Sequence, residues 1–293
     1  MKVVVLGANG QLGSDVCSAF LQNGDEVIGL THDEIELTSA SSIEAALAAA
    51  APEFIVNTAA MHHVDKCQSD PSRALAVNAL GTKNVAECAN RLGATLAFVS
   101  TDYVFDGKKS VPYLETDVAN PLNVYGISKL AGEHFGAATA PKCFVLRVSA
   151  IYGHQPCRAK GGLNFVELML KLSRERDTLR VVDDEFVSPT PTVQIAAQLV
   201  ALSRSTNYGL YHGTTEGSCS WFEFAGEIFR ATGTKVRLEK ASPGEFPAKV
   251  PRPKYSVLEN QALKAAQLNL FTDWREGLEN YLSARARGAA NPS

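Results

Sequence analysis

"KVVVLGANGQLGSDV", residues 2–16, runs from an apolar stretch into three glycines and out into a helical pattern. Consecutive apolar residues from Val3 to Leu6 suit a strand buried on both faces. Gly7, Gly10 and Gly13 follow at once, spaced G-x-x-G-x-x-G. A chain turning there from strand to helix can bring backbone amides against a pyrophosphate, an approach that a Cβ would obstruct. The partial positive charge of the helix N-terminus adds to the attraction. A glycine triplet alone also fits a plain tight turn; its place between strand and helix points to dinucleotide binding.

The same alternation continues downstream. "EVIGL", "FIVNTAA", "TLAFVST" and "CFVLRVS" are short, apolar and rich in Val, Ile and Phe, and read as buried strands. "LGSDVCSAFLQNG", "SSIEAALAAAA", "DPSRALAVNALGTKNVAECANRLG" and "YGISKLAGEHFGAA" lie between them with helical periodicity and glycine or proline punctuation. Strand followed by helix, repeated, implies an α/β protein with a Rossmann-type doubly wound parallel sheet and right-handed crossovers. Residues 1–150 form the expected dinucleotide-binding domain. From 151 to 285 the pattern loosens into a smaller, irregular substrate-binding region, with segments near 179–213 returning to the Rossmann sheet. Here "NFVELMLKLSRE" and "TVQIAAQLVALS" read as helices, and "LRVVDD" and "GLYHGT" as short strands. Residues 286–293 are small and polar and read as a frayed tail.

Bulk properties exclude several classes. The chain has 293 residues, 45% hydrophobic and 20% charged, with a net charge of -3. That balance lacks the basic excess of a nucleic-acid scaffold. No run approaches the roughly 18 apolar residues that span a bilayer, and the start does not resemble a secretory signal. The six cysteines are scattered without a Cys-x-x-Cys pair, so reduced thiols in a cytoplasmic protein are expected, with no structural metal site.

The identity of the dinucleotide is less sharply written. An acid at the end of the second strand favours NAD and an arginine favours NADP. "GLTHDEIELT" offers Thr31 and His32 at that point, with Asp33 and Glu34 just beyond. Neither rule applies cleanly, which leaves NADPH and NADH both open, with NADPH slightly favoured.

Chemistry is suggested by "NPLNVYGISKLAGEHF", residues 120–135, where Tyr125 and Lys129 stand one helical turn apart and share a face. "VSTDYVFDG" places Ser100 and Thr101 at the end of the fourth strand, the carboxyl edge where ligands of such sheets lie. Hydride delivery to a carbonyl leaves an alkoxide that must be protonated. A phenol, with an ordinary pKa of about 10, needs its phenolate stabilised to act near neutrality. A lysine ammonium one turn away, together with an oxidised nicotinamide, would lower that pKa, and the same ammonium could hold the nicotinamide ribose. Thr101 would hydrogen-bond and orient the substrate oxygen.

These motifs together resemble the extended short-chain dehydrogenase/reductases, and within them the dTDP-4-dehydrorhamnose reductases. The resemblance is carried by "GANGQLG", "STDYVFDG", "PLNVYGISKLAGE", "RVSAIYG", "FVSPTPT", "GLYHGT" and "RPKYSVL", spread over nearly the full length. It implies reduction, with NADPH or NADH, of the C4 keto group of a nucleotide-linked 4-keto-6-deoxyhexose. Thr101, Tyr125 and Lys129 would be the catalytic set, and Asp102 and Tyr103 would line the sugar site. Gly7, Gly10, Gln11 and Leu12 would face the pyrophosphate, Ala59 and Ala60 would pass backbone against the cofactor, and Glu36 and Leu37 would lie near the adenine. The related 4,6-dehydratases read Thr-Asp-Glu where this chain reads Thr101-Asp102-Tyr103, which argues against dehydration. The resemblance also allows a homodimer. It leaves two further roles open: a reductase or epimerase of another nucleotide sugar, and a regulatory binding subunit like that of methionine adenosyltransferase.

Two departures stand out. Ala150 in "RVSAIYG" occupies a place where the family commonly has a tryptophan against the substrate, so the pocket is remodelled or the sugar differs. His62 and His63 stand where smaller residues are usual. Adjacent residues in extended chain point oppositely, so one is expected to face the cleft and the other to pack elsewhere, without a shared metal. The acidic run Asp183, Asp184 and Glu185 reads as a solvated loop, and Cys157 has nothing beside it that would make it a nucleophile.

Overall fold

The computed structural model describes residues 1–156, 161–242, 244–246 and 248–290; Cys157 lies outside them. Six strands form a fully parallel sheet: β1 (Lys2–Leu6), β2 (Glu26–Leu30), β3 (Phe54–Asn57), β4 (Thr95–Thr101), β5 (Cys143–Val148) and, later in the chain, the strand Gly209–His212. Two short strands before that last one are β6 (Thr178–Val181) and β7 (Phe186–Val187), which makes it β8. The sheet order is β2-β1-β3-β4-β5-β8. The chain leaves β1 for β2 on one side, then returns to place β3 on the other, in register Val5 to Val56. The reversal opens a crevice beyond the carboxyl ends of β1 and β3, where open α/β sheets bind ligands.

Burial on both faces explains the apolar strands. Along β1, Val3 and Val5 enter one core with Val16 and Phe20 of helix α1 (Gln11–Gln22), while Val4 and Leu6 enter the other. The second core takes Ile43 and Leu47 of α2 (Ala40–Ala50). Phe54 sits between Phe20 and Phe144 at centroid distances of 5.8 and 6.5 Å, tilted as aromatic quadrupoles prefer.

The long helical stretch after β3 is not one helix. It divides into α3 (Val64–Ser69), α4 (Pro71–Leu75), a π-helical turn (Ala76–Leu80) and α5 (Gly81–Leu92). The wide turn lets Asn78 face inward, accepting from the Met61 amide and donating to the Met61 carbonyl, both at 2.9 Å, and donating to Ser128. Ser128 belongs to α6 (Val124–Thr139), so Asn78 ties the segment after β3 to the helix bearing Tyr125.

The C-terminal part has its own core. Helix α7 (Phe165–Glu175), α9 (Trp221–Thr232) and the terminal α11 (Trp274–Ala290) bury Leu170, Phe224 and Trp274 together. Between them in sequence lie α8 (Thr192–Ser203) and α10 (Gln261–Ala265), and the remaining strands β9 (Cys219–Ser220) and β10 (Arg237–Lys240). Within residues 179–213, α8 packs on α1 and β8 closes the large sheet, but β6 pairs with β10 instead. The expected tail is helical as far as Ala290, since alanine and arginine favour helix enough to carry it through Gly288. No helix among the described residues is long and apolar enough to cross a membrane.

Candidate active site

One cleft of about 1170 Å³ runs along the carboxyl ends of the strands and is lined by every residue singled out above for cofactor, substrate or catalysis. At its first wall, Gly7 has φ +80°, a left-handed conformation that glycine adopts without strain. A Cβ on Gly13 would lie 2.1 Å from the Gly7 carbonyl oxygen, and one on Gly7 would lie 3.0 Å from the Ala59 amide. Loop, helix and the Ala59–Ala60 segment are thus packed backbone to backbone. The first turn of α1 opens onto this wall, and its cap residue Gly10 carries no side chain to occupy the space. These residues fit a dinucleotide pyrophosphate. The Gln11 side chain turns away, donating to the Gly153 carbonyl at 3.0 Å.

Beyond β2 the wall carries Thr31, His32, Glu36, Leu37 and Arg73. Glu36 accepts from the Thr38 amide at 2.9 Å and the Thr38 hydroxyl at 2.7 Å, which hold its carboxyl below the usual range. Arg73 and His32 approach the same carboxylate at 3.5 and 3.8 Å. The adenosine end therefore presents mixed charge.

The floor is built by β4 and α6. Asn123 caps α6 by accepting from the Gly126 amide at 3.0 Å. A Cβ at Gly126 would meet the Tyr103 carbonyl at 2.2 Å, so this glycine lets the helix start abut the turn after β4. Thr101 ends β4 beside Tyr125, and the Tyr103 and Tyr125 rings meet edge to face at 5.8 Å. Lys129, buried, donates to the Val99 carbonyl at 2.7 Å and lies 4.0 Å from the Phe98 ring centroid. The Ser100 hydroxyl turns the other way, to Glu133.

The electrostatics differ from the sequence expectation. Burial pushes the Tyr125 phenol up, with the Thr101 hydrogen bond opposing it only in part. The phenol therefore stands protonated, the form a proton donor requires. Burial also brings Lys129 down to about 7, opposed by the charge of Glu133. Asp102 contributes to the wall, but its carboxylate is turned under Thr101. It accepts from Thr101 at 3.0 Å and Ser149 at 2.9 Å and is bonded to Ser256; burial still pushes its pKa up.

Ala150 lines the cleft with φ +44°, a left-handed backbone unusual for a residue with a Cβ. Both His62 and His63 line the cleft, contrary to the expected division of one in and one out. His63 begins α3 and its Nδ1 accepts from the Lys66 amide at 3.4 Å, which fixes its direction. No group of three potential metal ligands occurs among the described residues.

The acidic run is a solvated loop only in part, with Asp184 exposed as expected. Asp183 pairs with Lys240 at 2.6 Å and Asp184 with Lys254 at 3.0 Å, while Glu185 lines the cleft with Arg252 and Trp221. Sequence reading missed this far wall. The available signal was an arginine fixed between Pro251 and Pro253, which reads as a held charge rather than a free one.

Comparison with known proteins places these features in a family. Residues 1–287 match the family model described as the RmlD substrate binding domain. The spore coat polysaccharide biosynthesis protein SpsK of Bacillus subtilis is 39% identical over 285 residues, covering 97% of this chain and 98% of that protein. A dTDP-4-dehydrorhamnose reductase from Clostridium acetobutylicum superposes with a TM-score of 0.93 at 37% identity, over 98% of this chain and 100% of that one. A dTDP-4-dehydrorhamnose reductase from Bacillus anthracis, solved with NADP, gives 0.92 at 35% identity, over 97% and 100%.

Proposed function

The chain belongs to the RmlD substrate binding domain family, and from that premise we propose that it reduces the C4 keto group of a nucleotide-linked 4-keto-6-deoxyhexose, dTDP-4-dehydrorhamnose, to the corresponding rhamnose nucleotide. It is an NADPH- or NADH-dependent oxidoreductase with a Rossmann-type fold. The observation that carries the reading is the meeting of Thr101, Tyr125 and Lys129 on the floor of a cleft whose first wall is the glycine cradle.

The nicotinamide cofactor, when bound, supplies a hydride to C4. Thr101 orients the substrate oxygen when its hydroxyl proton turns from Asp102 toward that oxygen. Tyr125, protonated and at the helix start, gives its proton to that oxygen as negative charge develops there. Lys129 favours the phenolate left behind and holds the ribose next to the nicotinamide. Gly7, Gly10, Gln11 and Leu12 carry the pyrophosphate on backbone amides, Ala59 and Ala60 form the opposing backbone wall, and Glu36 and Leu37 bound the adenosine end. Asp102, Tyr103 and Ala150 bound the sugar.

NADPH and NADH oxidation with enzymatically prepared keto-sugar tests this reading. Turnover giving the rhamnose nucleotide supports it; no consumption of either cofactor with a folded sample overturns it. Ala150 favours a second reading, in which the same chemistry acts on a different nucleotide-linked keto-sugar, because the wall lacks an indole there. Product analysis across a panel of keto-sugars, with wild type and Ala150→Trp, separates the two.

A further inference from the structure

Helix α6 carries a third residue on the face of Tyr125 and Lys129: Glu133, one further turn on. Glu133 is buried, and its carboxylate is fully engaged. Arg147 of β5, also buried, grips it with two parallel bonds, Nε at 2.9 Å and Nη2 at 2.6 Å, and Ser100 of β4 donates a hydroxyl. The Arg147 guanidinium in turn lies 5.1 Å from the Phe105 ring centroid. A carboxylate locked this way cannot swing toward Lys129, and Lys129 cannot swing toward it, since Nζ is held on the Val99 carbonyl. The two therefore act on each other across one helical turn at fixed separation, through a dry interior where screening is weak.

The proposed reaction needs Lys129 as a cation. Its surroundings oppose this: at the cleft floor the ammonium is buried against the Phe98 ring. The groups facing it are few. On α6 these are Tyr125 and Glu133. From α3 comes Cys67, whose thiol burial pushes up to about 11 and so leaves neutral. From β4 come the Val99 carbonyl and Ser100, and from β5 Arg147, whose charge meets Glu133 first. Asp102 and Tyr103, after β4, act on Tyr125. Glu133 is thus the interior anion set to favour the charged lysine.

We propose that Glu133 is a positioning residue for the reduction: it favours the charged form of Lys129, and Arg147 with Ser100 holds the Glu133 carboxylate in place. The proposal rests on the reductase reading above and deepens it. A merely structural Glu133–Arg147 clamp would hold α6 on the sheet without changing how Lys129 titrates.

The test compares wild type with Glu133→Gln, Glu133→Asp and the double variant Glu133→Gln/Arg147→Met, which removes the charge without stranding a guanidinium. Two quantities are followed against pH: kcat/KM for keto-sugar reduction, and NADPH affinity by nucleotide fluorescence, which requires no substrate. The alkaline limb of both should move to lower pH by about one unit or more in the Gln single and double variants, as loss of a neighbouring opposite charge dictates. It should stay in place in Glu133→Asp. A uniform loss at every pH with the limb unmoved overturns the proposal. If Glu133→Gln does not fold, the double variant decides by the same criterion. Should wild type show no keto-sugar turnover, the reductase reading fails, and the fluorescence titration still reports whether Glu133 governs Lys129.

Discussion

The Thr101 hydroxyl donates to the carboxylate of its own neighbour, Asp102, at 3.0 Å, although Asp102 is buried beneath it. A hydroxyl has one proton, so this bond decides which way the oxygen's lone pairs face. One of them takes the Tyr103 amide, at 3.2 Å. Asp102 thus fixes the rotamer of the Thr101 side chain beside Tyr125. Asp102→Ala should lower kcat about 10- to 100-fold, the effect of about 1–3 kcal/mol from a lost charge-assisted hydrogen bond. Steady-state kinetics on samples with matched Tm would check this. An unchanged kcat would remove Asp102 from the positioning of Thr101.

Tyr125→Phe keeps the ring and its edge-to-face contact with Tyr103 and deletes the proton. Reduction should fall about 10²- to 10⁴-fold, the usual contribution of a positioned general acid. NADPH titration should give an affinity near that of wild type. A variant that turns over at the wild-type rate would show that the proton comes from elsewhere.

Gly13→Ala opposes two effects. Alanine favours helix over glycine by about 1 kcal/mol. Its Cβ, however, would stand 2.1 Å from the Gly7 carbonyl oxygen, and only backbone movement can relieve that. Overpacking of this kind costs about 1–3 kcal/mol, so the clash wins. NADPH affinity measured by fluorescence should weaken about 10- to 100-fold. Tighter binding would mean that the cradle has slack the structure does not show.

Asp25 joins three parts of the chain, accepting from the N-terminal ammonium at 2.9 Å, from Asn23 at 2.9 Å, and from Arg204 after α8. The Arg204 bond leads in holding its carboxyl far below the usual carboxylate range. A depressed native pKa stabilises the fold above the unfolded value and loses that stabilisation as pH falls. Asp25→Asn should therefore lower stability by about 1–2 kcal/mol at neutral pH, allowing for the half-exposed Arg204. The gap to wild type should close progressively below about pH 5. Denaturant melts at neutral and acid pH would show this; a constant gap would assign the loss to packing.

The fold was legible because the buried strands carry no alternation to confuse them. "KVVVL" and "CFVLRV" have both faces covered, and such runs between helical segments leave little besides a parallel sheet. The cradle was legible for a similar reason, since glycine spacing reports backbone packing directly. What the sequence hid was relational. Glu133 and Arg147 lie on a helix and a strand, and neither residue type announces a buried partner. Arg252 and Glu185 come from a region of short strands and prolines whose path no periodicity fixes. The π-helical turn at Ala76–Leu80 was hidden too, because one extra residue in a helix leaves its apolar pattern nearly intact. The burial that raises the Tyr125 phenol was hidden as well, because the degree of burial around a phenol is set by the whole site.

The interlocked backbone of Gly7, Gly13 and Ala59 also bears on the calorimetry of cofactor binding. A cradle that keeps its shape through its own atoms has nothing to fold when a nucleotide arrives. Its binding heat capacity should then reflect covered surface alone, without the excess that accompanies a segment becoming ordered. The nucleotide meets a mould already set, and the entropy of forming that mould was spent when the chain first folded.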